Sequence, residues 1–319
     1  MLFLPSDLRT AAAERTISDA PARYRTVIPR KKGEYALYRP IEALACSLKT
    51  YTHSPLPNLI AMKRMFATLT LITAAVTLSV AQSRVRATDI ISQINRGESV
   101  SYSNVEIEGV LDLTDLNNRR REKSSGGWFG LGGSNDTYES EVEVSLSFTD
   151  CVFLDDVLAY YHDDDEDNTF IASFDEDVQF SGCTFRRASE FKYSEFSEDV
   201  DFQGAVFERE ANFKYAEFSE APVFSEVVFR QEANFKYAEF PENTTFAHVV
   251  FEREANFKYA DFPAGSSFEG TVFNSLANFK YSEFETPLNL DNVAFNGSED
   301  FKYTEVDGEE FTTFLLKNR

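Results

Sequence analysis

Phenylalanine sets the rhythm of the chain's second half. It stands at Phe191, Phe196, Phe202, Phe207, Phe213, Phe218, Phe224, Phe229, Phe235, Phe240, Phe246, Phe251, Phe257, Phe262, Phe268, Phe273, Phe279 and Phe284, at spacings that alternate 5 and 6. Four such steps make 22 residues, and the sequence repeats at that period: SEFKYSEF from Ser189, ANFKYAEF from Ala211 and again from Ala233, ANFKYADF from Ala255, ANFKYSEF from Ala277 and EDFKYTEV from Glu299. Phe174, Phe180 and Phe185 hold the phase upstream, and Leu290 and Phe295 hold it downstream. A helix would bring apolar residues back after three and four positions, and an ordinary strand would alternate over a longer run. Steps of five and six mean that each short run turns a corner before the next inward residue. Four runs return the chain to its starting side one coil higher, about 4.8 Å away, as neighbouring strands lie. Residues 22 apart then stand in columns, which is the mark of a solenoid.

The inward set follows from that geometry. Phe fills the centre of each face, and two residues earlier comes a small residue: Ala211, Ala216, Val227, Ala233, Ala238, Val249, Ala255, Ala260. Nothing in this set is polar, so no buried partner is expected and the core offers no site. Cys151 and Cys183 occupy the same small slot (CVF, CTF). They read as core residues, with a disulfide between neighbouring coils as the alternative in an oxidising compartment.

Runs such as Ala211-Asn212-Phe213-Lys214-Tyr215 and Ala216-Glu217-Phe218 resemble the A-(N/D)-(L/F)-x-x unit of pentapeptide-repeat proteins, and the 5-then-6 spacing resembles their Phe-centred subgroup. The resemblance covers roughly 140–306 and extends to 104–116 through Ile107, Leu111 and Leu113. It implies an all-β fold, a right-handed quadrilateral β-helix, and implies little about function. Short capping helices are expected at both ends, within 87–103 and 309–319, because open coil ends would expose strand edges. The solenoid itself is placed at 104–308, with loop insertions at 117–139 and 161–168.

Outward positions also fall into columns. Lys192, Lys214, Lys236, Lys258, Lys280 and Lys302 form one, beside Tyr193, Tyr215, Tyr237, Tyr259, Tyr281 and Tyr303. Glu195, Glu217, Glu239, Asp261, Glu283 and Glu305 follow three residues after the lysines. Lysines about 5 Å apart repel, and the adjacent acids are expected to offset that. This strip reads either as a structural ladder or as a binding strip for a protein or glycan partner. A second candidate is the 117–139 loop, where Arg120 leads toward Trp128, Phe129 and Leu131 in a Gly-rich run suited to an interface or a membrane surface. The acidic run Asp163–Asn168 lacks a turn-forming Gly and reads as a solvated loop rather than a calcium site. Three His, no phosphate-binding Gly motif and no zinc-like Cys spacing leave no cofactor, no metal and no catalytic constellation nominated.

Charge and the front end bear on location. The formal net charge is -22, from 31 basic and 53 acidic residues. The stretch 87–319 is more acidic still, with 18 bases against 48 acids. Such a surface repels nucleic acid and anionic membranes. Residues 62–82 read MKRMFATLTLITAAVTLSVAQ, with Lys63 and Arg64 ahead of an apolar run from Phe66 to Val80, and with Ser79 and Ala81 placed for cleavage. That is the form of a secretory signal peptide. The expected start is Met62 or Met65, which makes 1–61 an over-extended or disordered N-terminus. The alternative is a membrane anchor at 66–81. The leading expectation is a secreted or periplasmic, non-catalytic structural or interaction module, with pairing through solenoid ends as a route to a homodimer. An acidic DNA-mimicking regulator of a topoisomerase is the alternative, and an enzyme with an unrecognised carboxylate site comes after it.

Overall fold

The computed structural model describes residues 82–122 and 136–317. The signal-like segment 62–81, the stretch 1–61, and Trp128, Phe129 and Leu131 lie outside the described residues.

Four runs per coil build four faces, seen clearly from Val200 onward. The first face carries Val200–Asp201, the second Val206–Phe207, the third Ala211–Asn212 and the fourth Glu217–Phe218. Each run pairs in parallel with its equivalent one coil on. On the second face Phe185, Phe207, Phe229, Phe251, Phe273 and Phe295 are directly in register, within a nine-stranded ladder. On the third face the register runs Ser189, Ala211, Ala233, Ala255, Ala277, Glu299. In these regular coils the strands are two residues long because the chain has one outward and one inward position before it must turn.

Burial holds the coils together. Phe202, Phe207, Phe213, Phe224 and Phe229 have no exposed surface. Each ring lies nearly parallel to the one above it, as with Phe213 on Phe235 at 5.0 Å and 4°, and edge-on to rings of the adjoining faces, as with Phe213 and Phe224 at 83°. Both arrangements suit the ring quadrupole. The small slots are buried as well, Ala211, Ala216, Val227 and Ala233 among them. The expectation of a wholly apolar interior needs correction, because Ser189, Ser194, Thr244, Ser266, Thr271, Ser282 and Thr304 are buried in such positions too. A hydroxyl fits where it can reach the main chain. Thr271 donates to the Phe246 carbonyl, Ser282 to that of Phe257 and Thr304 to that of Phe279, each at 2.6 Å. Among the described residues only the Ser189 and Ser194 side chains are buried without a partner.

The ends differ in detail from the sequence-based expectation. A strand, Ser83–Arg86, precedes the first helix and pairs with Val105–Glu108. Helix α1 (Ala87–Ile94) then buries Ala87, Ile90 and Ile94 over the first coil, and Val100–Ser103 is already a strand of the first face. At the far end Glu309–Glu310 turns back antiparallel on Glu305–Val306. Helix α2 (Phe311–Lys317) follows, seating Phe311 against Phe284 and Phe301.

Candidate functional site

Every corner between the third and fourth faces is distinctive. In the regular coils Phe213 accepts a hydrogen bond from the Ala216 amide at 3.0 Å, which closes a tight turn over Lys214 and Tyr215. Tyr193, Tyr215, Tyr237, Tyr259, Tyr281 and Tyr303 all have φ between 58° and 64°. A left-handed bulky residue is uncommon and costs about 1–2 kcal/mol. The equivalent turn on the opposite corner, between the first and second faces, uses Asp150, Gly182, Gly204, Glu226, His248, Gly270 and Asn292. There the chain varies the residue, with three Gly and one each of Asp, Asn, His and Glu, whereas at the Tyr corner it places the same aromatic six times.

The tyrosines stack ring on ring, with centroids 4.7–5.0 Å apart and planes within 0–17°. Each lysine Nζ lies 4.7–5.1 Å from the ring centre of the tyrosine that follows it. The expected pairing of this column with the acids of the fourth face does not occur: among the described residues none of the six lysines forms an ion pair. The turn points lysine across the ring and glutamate out of the next face, so the ammonium meets a π-face instead of a carboxylate. Burial, then mutual repulsion, lowers the Lys214 and Lys236 pKa values from the ordinary lysine value. Burial raises those of Tyr193 and Tyr237, so the phenols remain donors.

A second row braces the turn. Asn212, Asn234, Asn256 and Asn278 accept the Lys214, Lys236, Lys258 and Lys280 amides at 3.2–3.4 Å. The Asn side chain satisfies an amide that the turn leaves without a strand partner.

Both insertions leave the solenoid at this same corner. In the first coil the chain departs after Leu111–Asp112 of the third face and returns at Thr137–Val142 of the fourth. In the second it departs after Val157–Leu158 and returns at Asn168–Phe174. The returning strands pair over six residues, from Thr137↔Thr169 to Val142↔Phe174. Tyr160–Asp163 adds antiparallel on one side and Arg120–Arg121 on the other. The result is a four-stranded flap standing on the Tyr edge. Tyr138, Phe170 and Tyr161 form a cross-strand aromatic row on it. Arg120 is held there by Glu141, with which it forms an ion pair.

Tyr160, at the root of the flap, joins the strip. Its hydroxyl accepts a hydrogen bond from Lys192 Nζ at 2.9 Å, and its ring lies 4.2 Å from the same nitrogen. Burial lowers the pKa of Lys192, against the neighbouring Glu190, whose own pKa burial raises. Sequence reasoning does not find Tyr160, Glu190 or the Asn row. The Asn row is visible as a repeated letter, while Tyr160 sits outside the repeat and reaches the strip only through the fold.

Other surface features are modest. A shallow trough of about 570 Å³ follows the corner between the second and third faces, lined by residues of both charges including Arg209, Arg230, Glu208 and Glu252. The carboxylates of Glu141, Glu143 and Asp175 lie within 4.8 Å of one another, and Arg120 already occupies Glu141. The Asp163–Asn168 run is a turn in which Asp163 accepts the Asp165 amide at 2.9 Å. No helix among the described residues is long and apolar enough to cross a membrane.

Four parallel ladders of two-residue strands, closed by tight turns around an aromatic core, define a β-helical solenoid of short repeats. Residues 172–217 and 213–261 match the family model of pentapeptide repeats, in 9 copies, so this stretch of the solenoid is built of such repeats. No curated protein and no solved structure matches it.

Proposed function

We propose that this protein is an extracytoplasmic interaction module whose working surface is the edge carrying the flap and the Lys–Tyr strip. The observation that carries this reading is the run of six left-handed tyrosines. A solenoid needs a turn there, and Gly or Asn would make it at lower cost. Placing Tyr there in six consecutive coils points to a use for the side chains. The insertions support the same edge, since repeat proteins concentrate insertions on the binding face.

The chemistry of the strip narrows the partner. Each Tyr ring covers its neighbour's face, so the column presents edges and hydroxyls, and a sugar has no open ring to stack on along its length. What is offered is a line of ammonium groups and phenol donors, one set per coil. This fits a thin, extended anionic chain with a charge at each coil rise of about 4.8 Å. An extended acidic peptide brings same-side charges only every ~6.8 Å. A carboxylated polysaccharide, one charge per sugar, matches more closely. The acids on the fourth face keep broad anionic surfaces away.

Location outside the cytoplasm rests on the signal-like sequence at 62–82. The first strand begins at Ser83, just beyond the Ala81 cleavage point, so processing there spares every described coil.

Retention on immobilised polygalacturonate tests the strip. The wild-type chain should bind and elute with salt, and K214Q/K236Q/K258Q should lose at least tenfold in affinity with an unchanged melting temperature. Equal retention of the two proteins would remove the strip as the binding surface. Preferential binding to poly-glutamate would replace the glycan with an acidic polypeptide.

A further inference from the structure

The small inward slot holds a feature that the strip does not use. Cys151 and Cys183 occupy it in consecutive coils. The Thr184 amide donates to the Cys151 carbonyl at 2.8 Å, and the next residues, Val152 and Thr184, are register partners, so the two cysteines stand one directly above the other. Both side chains point into the core and neither has exposed surface. Each thiol contacts a main-chain carbonyl one coil earlier: Cys183 Sγ lies 3.4 Å from the Phe148 oxygen, and Cys151 Sγ lies 3.5 Å from that of Tyr102. Elsewhere this arrangement is made by hydroxyls, in Thr271, Ser282 and Thr304. A hydroxyl is the shorter and stronger donor, so the core does not need sulfur for that bond.

We propose that Cys151 and Cys183 are a disulfide site, a covalent staple between two adjacent coils. In-register Cα atoms on parallel neighbours are about 4.8 Å apart, inside the range of about 4.4–6.8 Å that a disulfide spans. Two stacked phenylalanine pairs flank the site, Phe148 on Phe180 at 5.5 Å and Phe153 on Phe185 at 4.9 Å, and hold the rung in place.

The reaction balances with a disulfide oxidant such as oxidised glutathione. A cysteine thiolate attacks the glutathione disulfide and releases one glutathione thiolate. The second cysteine thiolate then displaces the other glutathione from the mixed disulfide. Two protein thiols lose two protons and two electrons, and one glutathione disulfide becomes two thiols. Because both sulfurs are fully covered in the folded coil, the bond forms before this rung closes.

The staple would brace the segment that matters for the binding edge. The residues it encloses, 152–182, include Tyr160, the Tyr160–Asp163 strand and the Asn168–Phe174 strand of the flap. Closing that loop ties the root of the flap to the coil below.

The test uses the full chain with Cys46→Ser, so that only these two thiols are counted. It is unfolded and reduced, then refolded in parallel in a glutathione redox buffer and in dithiothreitol. Each sample is unfolded again without reductant, alkylated with iodoacetamide and weighed. The proposal expects no adduct after oxidative refolding and two after reductive refolding. It also expects the oxidised form to melt about 5–10 °C higher. Two adducts from both samples, or one adduct with a bound glutathione, would overturn it. A Cys151→Thr/Cys183→Thr variant should melt at one temperature in both buffers, and a buffer-dependent shift in that variant would show that the stabilisation lies elsewhere. The outcome is independent of strip binding and of cell compartment.

Discussion

At the scale of single residues the Tyr corner sets backbone strain against side-chain contact. Tyr237 sits at φ 59°, stacks on Tyr215 and Tyr259 at 4.7 Å each, and lies under Lys236. Glycine at this position removes strain of about 1–2 kcal/mol and forfeits two ring pairs of about 0.5–1.5 kcal/mol each. The two effects nearly cancel, so Tyr237→Gly should unfold within about 1 kcal/mol of wild type in a denaturant titration. Tyr237→Val keeps the strain, adds a β-branched side chain to it and loses the stacking, which should cost about 2–4 kcal/mol. A glycine variant destabilised as much as the valine variant would mean that the stack, not the turn, dominates, and that the tyrosines are structural. The paired comparison therefore bears on function as well as on stability.

At the scale of the element, the period makes the coil legible from the letters alone. Identical residues one period apart become register partners, and the alternation of five and six separates inward from outward positions without a partner strand. The corners are less legible. A repeated Lys-Tyr pair does not announce a left-handed tyrosine, and a separation of three positions between Lys and Glu suggests proximity until the turn sends them to different faces. The insertions are visible only as breaks in rhythm. That they rejoin as one flap depends on pairing between Thr137–Val142 and Asn168–Phe174, which are far apart in sequence and carry no shared motif. The strand at Ser83–Arg86 escapes for a similar reason: it lies outside the repeat and is defined by its partner, Val105–Glu108.

The period also makes a deletion interpretable. Each coil contacts mainly its neighbours, so stability is close to additive along the axis. Removing Ala233–Glu254, one full coil of 22 residues, sets Ala255 on Ala211 and Tyr259 on Tyr215. That variant should fold, keep its circular dichroism per residue and bind polygalacturonate nearly as well. Removing only the first eleven residues of that coil, 233–243, places Thr244 in the small slot of Ala233 and Phe246 in the place of Phe235, so the core stays in phase. It turns every later coil by half a revolution, however, and moves Tyr259, Tyr281 and Tyr303 to the opposite edge. This second variant should fold with a similar melting temperature and lose most of its binding. Equal binding by the two would show that an unbroken strip is not required.

At the scale of the whole molecule, charge opposes the fold that the aromatic core drives. Acids stand in register on the fourth face, Glu195 beside Glu217 and Asp261 beside Glu283, with no cation between them. Burial, and then the neighbouring carboxylates, raise the pKa values of Glu217, Asp261 and Glu232 from their ordinary values. A carboxyl with a raised folded pKa binds its proton more tightly in the folded state than in the unfolded chain. Stability should therefore fall as pH rises from the ordinary carboxyl value through the folded value, and the penalty is fully present above that window. The lowered pKa values of Asp307, caused by its hydrogen bonds with Thr286, and of Glu98, caused by its hydrogen bond with Arg96, act in the opposite sense, but both groups are exposed and lie near the ends of the solenoid. The summed expectation is a melting temperature higher at about pH 5 than at pH 7.5 in dilute buffer. Salt should narrow that gap, because at ~1 M the screening length shrinks to about 3 Å, shorter than the coil rise that separates the carboxylates. Thermal melts at both pH values, each in dilute buffer and in molar sodium chloride, check all four combinations. A gap that persists in molar salt would assign the pH dependence to burial of the individual carboxyls. A melting temperature that rises from pH 5 to 7.5 would mean that the acidic ladders do not oppose folding, and that the net charge of the body is carried by fully solvated positions.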